Sequence, residues 1–386
     1  RVLFRSQITG ATKTFSGAIG TTQALTLIDV DNAAIFNGSI EATTLSVAAS
    51  NYALELNGAA NVITNAVTFS NTGALTLGDA NTDSSTFNGG ITATAPSGVT
   101  LAGTIQTSGD TISIGDGDTA ITLAANTIVD GNTAGDITLA GAIDGGYSLT
   151  LNTTGTTTLS GIIGGSTALT TLTTNAGGTT VISVDITTSS TQTYNDAVTV
   201  NGTLDFTGST VQFASTVEGN DGTGDNLTIS GALDLDGAAT SLTTLTVEGA
   251  SNLGANVTTS GTQTYTGAVT LSADVVLTTT NSNATFSSTI DSDDASTKRD
   301  LTLTLGSGTA SVTGIVGATS LDVLTLNSSS SFTAAVTATS IVNAASKTAT
   351  FSDAVTANIT NSGTLLFDTS ADKSVTGTIE IGRAHV

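Results

Sequence analysis

Thr191-Gln-Thr-Tyr194-Asn-Asp-Ala-Val198-Thr-Val200 returns 71 residues later as Thr262-Gln-Thr-Tyr265-Thr-Gly-Ala-Val269-Thr-Leu271. Phe213-Ala-Ser-Thr-Val217-Glu218 returns 73 residues later as Phe286-Ser-Ser-Thr-Ile290-Asp291. Leu169-Thr-Thr-Leu172, Leu242-Thr-Thr-Leu245 and Leu321-Asp-Val-Leu324 follow at offsets of 73 and 79. A chain that repeats its own strands at a long, loose period is a repeat architecture. Within each copy the apolar residues alternate with hydroxyls, as in Leu301-Thr-Leu303-Thr-Leu305. A two-residue period turns one set of side chains to a core and the other to solvent, which is the mark of a strand. Thr, Val and Ile suit that extended backbone, and the intervening Gly, Asn and Asp suit tight turns. The pattern predicts some 35 to 40 short strands, roughly one per ten residues.

A shorter period is nested in the long one. Phe332-Thr-Ala-Ala-Val336 recurs as Phe351-Ser-Asp-Ala-Val355 after 19 residues, and Phe15-Ser-Gly-Ala-Ile19 as Phe36-Asn-Gly-Ser-Ile40 after 21. Phe87-Asn-Gly-Gly-Ile91 repeats the phrase again. About four short periods fill one long one. This nesting predicts an all-β parallel β-solenoid (a β-helix) with coils of about 20 residues inside repeats of 71–79 residues. Some 18 coils at about 4.8 Å each would make a rod near 90 Å long. The alternative is a string of Ig-like sandwiches of about 75 residues. Such domains often carry a core Trp or a Cys pair, whereas this chain has no Trp, no Cys and a single proline, Pro96. A 19-residue repeat has no role in a sandwich.

The two ends read differently. Arg1-Val-Leu-Phe-Arg-Ser6 is encoded by CGTGTGCTCTTCCGATCT, and the reverse complement of that string, in a shifted frame, encodes Ile381-Gly-Arg-Ala-His-Val386. The string resembles a short-read sequencing adapter. Residues 1–6 and 381–386 are therefore expected to be translated scars. Residues 7–380 are expected to be one continuous solenoid from inside a larger protein, a metagenomic fragment. On this reading the only histidine, His385, is not native, and the cations reduce to Lys13, Lys298, Arg299, Lys347 and Lys373.

The formal net charge of the chain is −23, yet charged residues make up only 10% and hydrophobic residues 38%, with mean hydropathy +0.25. So acidic a chain repels phosphate backbones, and nucleic acid is not an expected partner. It is too apolar for a disordered acidic polymer. No run of about 18 apolar residues is present, so no membrane insertion by a helix is expected in this stretch.

Without native His or Cys, Ser-His and Cys-His nucleophile chemistry is unavailable, as are zinc sites built on those ligands. Paired carboxylates remain. Asp234 and Asp236 share one strand face, as do Asp29 and Asp31, and a glycosidase needs two facing carboxyls. A solvated outer face accounts for both pairs equally well, and no catalysis is expected. Acidic Gly-rich turns are the candidate metal sites: Asp116 and Asp118, Asp221 and Asp225, and Asp291, Asp293 and Asp294. Calcium takes six to eight oxygens from such flexible groups, although no EF-hand loop or nonapeptide series occurs. Tyr194 and Tyr265 occupy equivalent repeat positions, to be read either as sugar-stacking platforms or, more simply, as repeated packing residues.

The Thr-Gln-Thr-Tyr-(Thr/Asn)-(Gly/Asp)-Ala-Val-Thr phrases, with Ser160-Gly-Ile-Ile-Gly164 and Thr313-Gly-Ile-Val-Gly317, resemble those of large bacterial surface adhesins of the filamentous haemagglutinin and autotransporter-passenger class. The likeness lies in style and composition and covers nearly all of residues 7–380. It implies export, an extracellular or cell-surface location, and a secreted rod that acts in adhesion, surface coating or filaments. Glycans, a host or neighbouring cell surface, or further copies end to end would be the partners. A carbohydrate-active β-helix enzyme and tandem Ig-like binding domains are the competing readings.

Overall fold

The computed structural model describes residues 12–20, 24–27, 30–367 and 374–381. The hexapeptide 1–6, residues 382–386 with His385, and Asp29 and Lys373 lie outside them. Ile381, the first residue of the C-terminal hexapeptide, ends the strand Ile379–Ile381. Among the described residues 57% are strand and none is helical, and the strands stack in parallel as a β-solenoid of about 18 turns with coils about 20 residues apart. Parallel pairing at this separation separates a solenoid from a row of sandwiches, whose sheets are antiparallel. Among the described residues the strands number 48. This exceeds the expected 35 to 40 because most coils carry three strands, one for each of three ladders.

The chain divides into two compact units, Arg1–Val198 and Thr199–Val386. In the first, one ladder passes through Ala33–Phe36, Ala53–Leu56, Leu75–Leu77, Gly98–Gln106, Ala120–Asn132 and Ala142–Asp144. Its inward column runs Ala34, Leu54, Leu75, Val99, Ile121, Ile143, Ile163 and Ile186, each paired to the next. No member of that column is more than 2% exposed. A second ladder rises through Ala60–Ile63, Ser84–Phe87, Leu149–Thr153, Leu172–Thr174 and Thr191–Tyr194. A third rises through Val67–Thr68, Ile91–Ala93, Ile112–Ile114, Ile137–Leu139, Thr156–Leu159 and Thr179–Ile182. Burial of a Leu or Ile side chain contributes about 1.5–3 kcal/mol, so like-on-like columns supply the main stabilisation.

The second unit has the same plan, with rings gathered in one column. One inward column there is Phe206, Ile229, Val247, Tyr265, Phe286, Val312, Phe332, Phe351 and Phe367. Tyr265 stacks on Phe286 with centroids 5.0 Å apart and planes 8° apart, and Phe332 on Phe351 at 5.2 Å and 9°. Direct superposition of Phe332 on Phe351 and Val336 on Val355 is what the 19-residue repeat predicted. Phe15 on Phe36 and Ile19 on Ile40 answer the 21-residue repeat in the first unit.

The long repeat behaves otherwise. From Thr210–Phe213 to the matching Ala284–Phe286 the chain passes through eleven strands. With three strands to a coil, that is three and two-thirds coils rather than four. A recurring phrase therefore lands on a different side of the coil. Within the second unit, Leu245 lies on the ladder that pairs it with Leu227 and Gln263, while its repeat Leu324 pairs with Leu301 and Ile341 on another. Within the first, Phe36 pairs with Leu56, whereas Phe87 pairs with Ile63. The three sides are alike enough, each a short strand and a turn, for one phrase to serve any of them.

The Gly-Ile-(Ile/Val)-Gly phrases form corners. Gly164 and Gly317 have φ of +71° and +77°, and a Cβ on either would strike a carbonyl oxygen of the next coil, that of Thr187 or Thr337. Only glycine meets both demands at low cost. Ile163 and Val316 enter the core beside them, while Ile162 and Ile315 stand 53% and 44% exposed.

Candidate functional site

The acidic turns commit their carboxylates to N–H groups of the same or an adjoining coil, to hydroxyls and to Arg299. Asp116 accepts from the Thr119 hydroxyl at 2.7 Å and from the Asp118 N–H at 3.1 Å, and these bonds lower its pKa, the hydroxyl most. Asp118 is exposed beside it. Asp225 is buried and accepts from the N–H groups of Gly202, Asp221 and Gly222 at 2.9–3.1 Å. Its burial alone would raise the pKa; the backbone donors outweigh it and the net direction is down. Asp221 accepts from Thr223 N–H, and Asp291 from Thr319 N–H. Asp293 holds Arg299 in a two-bond ion pair, at 2.7 and 3.1 Å, and Asp294 caps Ser296. Among the described residues no three acidic or histidine groups converge as a metal cage. Asp116, Asp221 and Asp294 close their own turns by Asx-type bonding.

Asp234 is half-buried and accepts from Asn252 Nδ2 at 2.8 Å, while Asp236 is exposed and accepts from Gln212 Nε2 at 3.2 Å. Each carboxylate is tied to an amide of an adjoining coil, as in a solvated outer row. Asp31 is exposed.

Tyr194 and Tyr265 are both fully buried, which rules out a sugar platform at either. Each donates its hydroxyl to the Oε1 of the glutamine two residues before it, Gln192 at 2.9 Å and Gln263 at 3.3 Å. The glutamine amides in turn donate to backbone carbonyls, Gln192 to Ile186 and Gln263 to Val257 and Thr278. Alternation places Gln and Tyr on the same inward face, so the repeated Thr-Gln-Thr-Tyr is a buried polar clip. The glutamine, which sequence reasoning passed over, is the partner that makes a buried phenol tolerable.

What remains for external contact is the outer surface, and one column there stands apart. In the second unit Thr228, Thr246, Thr264, Thr285, Ser311, Ser331 and Thr350 are register partners on seven successive coils. Each lies between two buried residues and points outward. Among the described residues none of these hydroxyls has a hydrogen-bond partner. The neighbouring column is cross-braced instead: Asn226 donates to Thr203 and Thr244 to Asn226, both at 2.8 Å, and Thr309 donates to Asn283 at 3.2 Å. On the far side of the free column stand Ser230, Glu248, Thr266, Ser287, Thr313, Thr333 and Ser352, each following its strand by one residue, with Glu248 the one charged side chain among them. Asp205 and Leu366 bound the free column, and no charged residue lies within it. In a chain with 31 acidic residues this column is free of charge, and from Thr266 to Ser352 so is the column beyond it.

Compared with known proteins, the chain matches no family model, no curated protein and no solved structure at a significant level.

Proposed function

We propose that this chain is a structural and adhesive rod segment of an exported bacterial cell-surface or filament protein, with no catalytic role. The observation that carries the reading is the unbroken inward stacking within each unit. A parallel ladder in which every coil hydrogen-bonds to the next resists bending and leaves strand edges only at its ends. The Thr-rich, acidic, cysteine-free surface suits an extracellular setting, and the outer hydroxyl face offers an area for contact with a glycan, a neighbouring surface or another copy. The Asx-closed acidic turns and the amide-tied Asp234 and Asp236 support a structural role over an enzymatic one.

Small-angle scattering from the purified chain tests the rod. The expected pair-distance function is that of a rod, lengthening by about 4.8 Å per coil. A profile typical of a compact globule, or of beads on a flexible string, refutes it. Release of reducing sugar from any of a panel of polysaccharides, abolished by Asp234→Asn, would establish the enzyme reading in its place.

A further inference from the structure

We infer that the free hydroxyl column of the second unit, from Thr228 to Thr350, binds an ordered lattice of water and so adsorbs to ice. The inference needs the solenoid but not export, and goes beyond the adhesive reading.

Three observations carry it. The first is commitment: these hydroxyls make no bond inside the protein, while the column beside them is tied coil to coil. A hydroxyl offers one donor and two acceptor sites, and here the protein takes none of them. The second is spacing. Register pairing sets one hydroxyl per coil at the inter-strand distance of about 4.7–4.9 Å. In a tetrahedral water network two O–H···O bonds of about 2.7–2.8 Å place second-neighbour oxygens about 4.5 Å apart. The two repeats differ by about 0.2–0.4 Å per rung, an offset that accumulates, so sets of about three successive rungs stay within about 1 Å of one row of such a network. The ladder holds the rungs in line, so water bound at one rung is already placed for the next, and weak single contacts add as a multivalent array.

The third observation is charge. An ion imposes its own hydration shell on nearby water, and no charged side chain sits in this column, although the chain as a whole is strongly acidic. An uncharged partner is the one that such a face matches. A soluble glycan fits less well, because specific sugar sites are concave with convergent polar groups, and here Tyr265, Phe286, Phe332 and Phe351 all point inward. The face presents a column of hydroxyls instead, one per coil.

The test is thermal hysteresis by nanolitre osmometry, with single ice crystals in a solution of the whole chain. The expected result is a freezing point held below the melting point, with faceted crystals. The double variant Thr264→Lys/Thr285→Lys, whose fold is checked by circular dichroism and melting, should lose at least about tenfold of that gap, because it splits the array near its middle. Thr302→Lys, at an outward position of another ladder, should retain it. A wild type that freezes like buffer overturns the inference, as does a double variant as active as the wild type. Retention on insoluble cellulose that the double variant abolishes, without hysteresis in the wild type, also overturns it and assigns the face to a neutral polysaccharide.

Discussion

Replacing Phe332 with alanine tests whether stacked columns hold this fold coil by coil. Phe332 is 1% exposed and lies face to face with Phe351 at 5.2 Å. A buried Phe→Ala change costs about 3–5 kcal/mol through lost transfer energy and the cavity left behind. About 0.5–1.5 kcal/mol of that belongs to the ring pair. In a compact globule the loss would lower every local stability together. In a solenoid each coil touches only its neighbours, so the damage stays near its origin. Hydrogen exchange read peptide by peptide is the assay. Amides in Thr309–Val312, Ser329–Phe332 and Thr348–Phe351 should lose about two to three decades of protection, since about 1.4 kcal/mol is tenfold. The inward column of the first unit, from Ala34 to Ile186, should keep its protection. Ser331→Ala, one residue away but outward, should stay within about 0.5 kcal/mol of wild type. Equal loss in both units, or equal behaviour of the two variants, refutes the reasoning.

Gly267→Ala is expected to destabilise by about 1–3 kcal/mol, because a Cβ there meets the backbone of Gly249 in the coil before it; a melting temperature unchanged from wild type would show that the coils separate more easily than the stacking implies. Asp196 and Asp225 should show opposite pH dependence. Asp196 is buried, and burial raises its pKa against the bonds from Gly178 and Thr180, so its stabilisation is full below the unfolded carboxylate value and is lost as pH rises through the folded one. Asp225 has a lowered pKa, so its contribution is present above the unfolded value and is lost as pH falls through the folded one. In melting curves from about pH 3 to 7, Asp196→Asn should therefore gain on wild type toward neutrality and Asp225→Asn should fall behind it; parallel curves contradict both assignments. Calcium at millimolar concentration should leave the melting temperature within about 2 °C of that in chelator, since a site filled a hundredfold above its Kd would add about 2.7 kcal/mol. A larger rise would show that the acidic turns open to take the ion.

Much of the fold was legible in the sequence because its driving pattern is local. Strict alternation in stretches such as Leu301-Thr-Leu303-Thr-Leu305 fixes which side chains enter the core, and a strand presents the same two faces wherever it lies. The 19- and 21-residue spacings gave the coil, since identical phrases stack on themselves. The polar clip of Tyr265 and Gln263 was half visible, the tyrosine through its repetition and the glutamine only through its place two residues earlier. The acidic turns were found in sequence, but where their carboxylates point was not. Asp225 reads in sequence as a candidate calcium ligand, and only the structure shows Gly202, from the coil before it, donating to its carboxylate.

By itself, then, the sequence determined the alternation, the parallel stacking and the length of a coil, because these follow from side-chain polarity along a single strand and from spacing between equal phrases. Only the tertiary structure decided which side of the coil each phrase occupies. Three sides of similar length accept the same residues, and an eleven-strand repeat does not divide by three. It also decided which hydroxyls are spent. Thr244 and Thr246 are chemically alike and two residues apart, yet Asn226 on the preceding coil takes the first into a brace and leaves the second free to face water.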